Sequence, residues 1–139
     1  MKLYVKETVQ PTKASSCAAV VGHSKDIADA DQETMLLYTL NAQNNIIDKD
    51  VVALGGFSFC AVDLKVVFRR ILKHGGTAFI LVQNHPSGDA TPSNADREIT
   101  NKTKQAAELL ELTFHDHIII AKDEEDQIKR YSFKENYLI

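Results

Sequence analysis

Apolar residues recur along this chain in more than one rhythm, and each rhythm predicts a different element. Leu3 to Val9 reads as a first strand, ended by Pro11. Ser24 to Ala30 suits a short helix with Ser24 as its N-cap. Thr34 to Leu40 is apolar with β-type residues and predicts a strand, Asn41 to Asn45 a turn, and Ile46 to Leu54 the return strand. Gly55-Gly56 breaks the pattern. From Val62 to His74 the period becomes helical: Val62, Val66, Val67, Ile71 and Leu72 share a face, and Lys65, Arg69, Arg70 and Lys73 point outward. Gly75-Gly76 stops that helix.

Thr77 to Val82 is a short unbroken apolar run, the signature of a strand buried on both faces. A turn-rich loop leads into a helix predicted over about Asn94 to Leu112, with Ile99, Thr103, Ala106 and Leu110 inward. Phe114 to Ala121 reads as a strand, Asp123 to Asp126 as a solvated turn, and Ile128 to Phe133 as the strand that closes the sheet. After the N-terminal part the order is ββαβαββ. That order predicts an α/β protein, a mixed β-sheet with flanking helices.

Composition narrows the class. A chain of 139 residues, 44% hydrophobic and 25% charged, supports one domain with a real core. No apolar run reaches the length that crosses a bilayer, and residues 1–7 carry no apolar leader segment. Cys17 and Cys60 stand in no CxxC pair, so reduced thiols and a cytoplasmic location are expected, with no membrane partner. The formal net charge of −3 gives no overall basic footprint for nucleic acid.

The chemistry concentrates in residues 83–96, QNHPSGDATPSNAD. A strand ending in a polar loop that opens a helix is rigid on one side and solvent-facing on the other, with positive potential from the helix start. His85 leaves the strand there, and imidazole is the commonest transition-metal ligand near neutral pH. Asp96, in the first turn of the helix, can fold back toward the same ion. A zinc hydrolase needs a few protein ligands, an open position and a carboxylate base. Glu33, at the head of an apolar strand, is the candidate base, and Ser93 the candidate oxyanion donor. A plainer reading competes: Ser93-Asn94-Ala95-Asp96 is also a capping-box variant, which requires no metal.

The longer pattern resembles the RadC family of the JAB/MPN metalloprotease group. Asn84 to Asp89, Thr91-Pro92-Ser93, Ala95-Asp96, Thr100, Ala107 to Leu110, Asp116 to Ile120 and Tyr131-Ser132-Phe133 carry that resemblance, together with Glu33. It implies a JAB/MPN (cytidine deaminase-like) architecture over residues 33–139, after an N-terminal extension over 1–32. It also implies the JAMM pattern Glu…His-x-His-x7-Ser-x2-Asp. His85 and Asp96 would then be Zn2+ ligands, Glu33 the base, Ser93 the oxyanion donor, and a peptide or protein the substrate or partner.

One ligand departs from the pattern: Gln83 stands where the first His would be. A neutral amide is a much poorer zinc ligand than imidazole. The expected activity is therefore a zinc metallopeptidase or amide hydrolase, impaired at the metal. The alternative is a catalytically silent domain that binds a protein partner. The DNA-repair role suggested by the family name finds no basic segment here. Strand alternation places His115 and His117 on one face, which offers a spare imidazole. An edge strand at Ile128 to Phe133 offers a route to a homo-oligomer.

Overall fold

The computed structural model describes residues 17–55 and 61–139. The strand expected at Leu3 to Val9 lies outside them. The described elements run α1 (Cys17–Gly22), α2 (Lys25–Ala28), β1 (Thr34–Leu40), β2 (Ile46–Leu54), α3 (Leu64–Lys73), β3 (Ala78–Asn84), α4 (Asn94–Leu109), β4 (Thr113–Lys122) and β5 (Ile128–Ser132). The strands form one mixed sheet in the order β2-β1-β3-β4-β5. β3 and β4 are parallel and the other neighbours antiparallel. The expected ββαβαββ order and mixed sheet are both present.

Two apolar layers cover the two faces of this sheet. Leu36, Tyr38, Leu40, Ile80, Val82, Ile118 and Ile120 pack with Val20 of α1 and Ile27 of α2. Met35, Leu37, Phe79 and Leu81 pack with Val67, Phe68 and Ile71 of α3 and Ala107 of α4. β1 and β3, flanked on both sides and both faces, are buried along their whole length. That is why their sequences are unbroken apolar runs rather than alternating ones.

Both long helices are turned relative to their predicted faces. In α3 the buried residues are Val67, Phe68 and Ile71, whereas Leu72 is 57% exposed. In α4 the buried stripe is Asp96, Thr100, Thr103 and Ala107, while Ile99 and Ala106 are half-buried and Leu110 is exposed. Thr103 is inward as expected, and the rest of the α4 stripe lies one residue over, where the buried polar side chains Asp96 and Thr100 find partners in His85, Gln83 and His117. Burying them without hydrogen bonds would cost on the order of 1–3 kcal/mol each. The helix ends at Leu109, where Glu111 turns left-handed at φ 58°, short of the predicted Leu112.

Ser24 also behaves differently from its expected role. It flanks α2, but its side chain makes no cap bond. Its hydroxyl donates to the Val20 carbonyl at 2.9 Å and meets the Tyr38 hydroxyl at 2.7 Å. Tyr38 lies beside the His23 carbonyl at 2.9 Å, so this buried cluster ties the α1–α2 junction to β1. Burial pushes the Tyr38 phenol up to about 12, against the Ser24 bond that lowers it.

Candidate functional site

The site forms where β3 ends, α4 begins and the chain enters β1. Gln83 lies in β3 opposite Met35 of β1 on one side and Ile119 of β4 on the other. Alternation puts it on the face of Phe79 and Leu81, toward α4. Asn84 points the other way and is 1% exposed. Its Oδ1 accepts from the Thr34 N–H at 2.6 Å, and its Nδ2 donates to the carbonyls of Gln32 at 3.1 Å and Ala30 at 3.4 Å. From the other side the Glu33 carbonyl accepts the Gly55 N–H at 2.6 Å. Glu33 is thereby pinned through its backbone on both flanks.

The loop after β3 fixes the imidazole. Gly88 sits at φ 88°, and a Cβ there would press on the Lys122 carbonyl at 3.1 Å, so glycine is required. The turn brings the Asp89 carbonyl to 2.9 Å from His85 Nδ1. A carbonyl only accepts, so Nδ1 carries a proton and Nε2 faces the site.

Asp96 is held by the start of α4. Ser93 Oγ accepts the Asp96 N–H at 3.0 Å, and Asp96 Oδ2 accepts the Ser93 N–H at 2.8 Å, a complete capping box. The plain capping reading is thus present, and it aims the carboxylate. Oδ2 lies 3.1 Å from His85 Nε2. Burial works against the Asp96 carboxylate, but bonds from His85, the Ser93 N–H and Gln83 outweigh it and hold its pKa at about 2. Burial opposes protonation of His85 as well, yet the Asp96 bond, the Asp89 carbonyl and the charges of Asp96 and Glu33 together raise its pKa.

One ligand atom from each of Glu33, His85 and Asp96 lies within 4.8 Å of the others, although 63 positions separate the first residue from the last. Gln83, fully buried, stands at the junction. Its Nε2 donates to Asp96 Oδ1 at 3.0 Å and Glu33 Oε1 at 3.3 Å, and lies 3.2 Å from His85 Nε2. Its Oε1 faces His117 Nε2 at 2.7 Å.

These residues can hold a divalent ion. His85 directs a ring nitrogen inward while its other nitrogen bonds a carbonyl, the arrangement that orients a metal-ligating imidazole. Two carboxylates stand beside it. Gln83 fits such a set only through its oxygen, because an N–H2 group has no lone pair to give.

Sequence alternation misplaced His115. A bulge in β4 pairs Phe79 with Phe114 but Ile80 with Asp116, which reverses the alternation at His115. His115 Nε2 bonds Asn44 Oδ1 at 2.9 Å, in the turn after β1. His117 alone reaches the site, as a partner of Gln83. It stacks on Phe133 at 4.8 Å and meets Thr100 Oγ1 through Nδ1 at 2.6 Å. Burial pulls its pKa down to about 4. The sequence marks Asn84 and Thr100 only through the family pattern, and His117 as a spare imidazole; it does not foretell the backbone bonds of Asn84 or the Thr100–His117–Gln83 contacts. The available signals were an amide at the end of an apolar strand and an i, i+4 polar pair, Asp96 and Thr100, on a helix.

A cleft of about 220 Å³ opens beside the site. Met35, Val62 and Ile99 form apolar walls, Gln83 and Asp96 lie at its base, and Lys102 and Glu98 at its rim. Among the described residues, no helix is long and apolar enough to cross a membrane.

A family model described as "RadC-like JAB domain" matches residues 12–138. A UPF0758 protein of Chlorobium chlorochromatii is 34% identical over 113 residues, 81% of this chain and 49% of that protein. A UPF0758 protein of Chlorobium phaeovibrioides is 37% identical over 110 residues, 79% of this chain and 47% of that protein. A third, of Flavobacterium johnsoniae, is 39% identical over 107 residues, 77% of this chain and 44% of that protein. The chain spans about half the length of the curated relatives it matches.

Proposed function

This chain belongs to the RadC-like JAB domain family, and on that premise we propose that it is a metal-dependent amide hydrolase of the peptidase type, with cation affinity lowered by Gln83. The observation that carries this reading is the convergence of Glu33, His85 and Asp96, three separate segments of chain, on one cation-sized space. His85 and Asp96 would hold the ion, with Gln83 at the remaining ligand position, and a zinc ion there would supply Lewis acidity toward a scissile carbonyl and an acidified water of pKa about 7.

The chain's own groups supply the rest. Glu33 takes the proton of the attacking water and returns it to the leaving amine. Ser93 stabilises the oxyanion. Its oxygen already accepts the Asp96 N–H, which leaves the hydroxyl proton to donate outward. The cleft walled by Met35, Val62 and Ile99 suits the apolar part of a peptide beside the scissile bond.

The test is zinc titration by calorimetry, followed by a quenched-fluorescence peptide library. Zinc binds wild type weakly, Gln83→His tightens it about tenfold or more, and Asp96→Ala abolishes it. Glu33→Gln keeps zinc and loses hydrolysis. Equal zinc binding by wild type and Asp96→Ala would sink the ligand assignment.

A second reading, a catalytically silent domain that binds a protein partner, is favoured by one observation. The Gln83 N–H2 group already satisfies Glu33 and Asp96 without any ion. Failure of Gln83→His to gain either zinc or hydrolysis would favour it.

A further inference from the structure

The terminal amide of Gln83 is the least explained group in the site. It is fully buried, and both of its polar atoms are engaged in opposite directions. Its inward atom lies 3.0, 3.2 and 3.3 Å from Asp96 Oδ1, His85 Nε2 and Glu33 Oε1. Ligand atoms bonded at about 2.0–2.1 Å around a tetrahedral ion are about 3.3 Å apart. The inward atom therefore stands at ligand–ligand spacing from its neighbours. Its identity, nitrogen or oxygen, decides whether the group can coordinate anything.

Amide nitrogen and oxygen have nearly the same size. Half a turn about the last side-chain bond exchanges a donor for an acceptor with little steric change. We propose that Gln83 is a reversible ligand: nitrogen inward it bridges Glu33 and Asp96 in place of an ion, oxygen inward it coordinates a divalent cation, and His117 changes tautomer with each turn. This rests on the cation-centre reading above.

The hydrogen-bond chain behind Gln83 makes the two states distinct. With nitrogen inward, the outward carbonyl accepts from His117 Nε2–H at 2.7 Å. The bare Nδ1 of a neutral ring then needs a donor, and among the described residues the Thr100 hydroxyl at 2.6 Å faces it. That hydroxyl also lies 2.7 Å from the Asp96 carbonyl, but it has one proton and cannot donate to both. With oxygen inward, every link reverses. The outward N–H2 donates to His117 Nε2, His117 Nδ1–H donates to Thr100 Oγ1, and Thr100 donates to the Asp96 carbonyl. Each of these links then joins one donor to one acceptor. The ring loses one proton at Nε2 and gains one at Nδ1 by exchange with water during local opening, so the proton count is unchanged. Burial of the whole chain enforces the coupling, because a mismatched orientation leaves two donors or two acceptors face to face.

The experiment uses the full chain labelled with 15N in its histidines, titrated with zinc alone and followed by NMR. Metal-free protein is expected to show His117 protonated on Nε2, and zinc-saturated protein to show it protonated on Nδ1, with His85 also shifted. In Gln83→Glu, a carboxylate offers oxygen to both sides. Zinc should bind about tenfold or more tightly, and His117 should stay protonated on Nε2 with or without the ion. Zinc binding that shifts His85 and leaves the wild-type His117 tautomer unchanged overturns this inference alone. A tautomer change that persists in Gln83→Glu does the same. No zinc binding by either protein overturns the inference together with the reading beneath it. If Gln83→Glu does not fold, the wild-type titration decides.

Discussion

Replacing Gln83 by leucine isolates what the buried amide contributes to the fold. Leucine keeps similar bulk and removes both polar atoms. His117 Nε2–H then loses its one close acceptor among the described residues, inside a fully buried ring environment, a cost of about 1–3 kcal/mol. Asp96 Oδ1 and Glu33 Oε1 lose an N–H at 3.0 and 3.3 Å, each a charge-assisted bond of about 1.5–3 kcal/mol. Two effects offset this. Glu33 is half-buried, so water replaces part of its loss. Buried leucine also returns roughly 1.5–3 kcal/mol of apolar transfer. The net expectation is a destabilisation of about 3 kcal/mol.

The unfolding entropy is about 2.1 cal/mol/K per residue. For 139 residues that makes about 0.3 kcal/mol/K, so the melting temperature should fall by about 10 °C. Urea melts followed by circular dichroism measure the free energy. A double-mutant cycle with His117→Phe, which keeps the aromatic stack on Phe133, should show a coupling of about 1–2 kcal/mol. A loss below about 0.5 kcal/mol, or strict additivity with His117→Phe, would refute the picture of one polar network centred on the amide.

Two further outcomes follow from the same structure. His117 is neutral and buried, with its pKa lowered from 6.5 to about 4; stability is then full above pH 6.5 and lost as pH falls toward 4, by about 3 kcal/mol. Asp96, lowered from 3.8 to about 2, adds a second loss below pH 4, and His85, raised above 6.5, a loss in the opposite direction as pH rises through its folded value. Urea midpoints across pH 3–8 check the ordering, and a flat profile between pH 6.5 and 4 would contradict the assigned state of His117. Gly76→Ala drives a Cβ into Thr39 Cγ2 in the buried strand β1 and should cost about 1–3 kcal/mol, read by thermal melting; an unchanged melting temperature would show that β1 yields.

The strands were legible because burial on both faces writes itself into composition. Thr34 to Leu40 and Ile46 to Leu54 match their predicted bounds, and the run at Thr77 to Val82 extends only to Asn84. In the candidate site, His85 and Asp96 stood out by turn and cap, whereas Glu33 had no local signal to separate it from Asp29 and Asp31 and stood out only through the family pattern. Helix orientation was less so. Thr103 is inward as expected, but the inward stripe of α4 also carries Asp96 and Thr100, which hydropathy alone ranks as outward. Placing His115 beside the site assumed unbroken alternation, which a single bulge opposite Phe79 and Ile80 reverses.

By itself the sequence determined the order of elements, the mixed sheet and the loop that presents His85. Those depend on near neighbours along the chain: apolar period, a glycine at positive φ, a serine three residues before an acid. Only the tertiary structure decided that Glu33 meets the imidazole, that Asn84 clamps its backbone, and that His117 rather than His115 stands behind the amide. Each of those is a contact between segments far apart in the chain. Its geometry follows from sheet register and from the need to pair every buried donor and acceptor, and no local spacing encodes either.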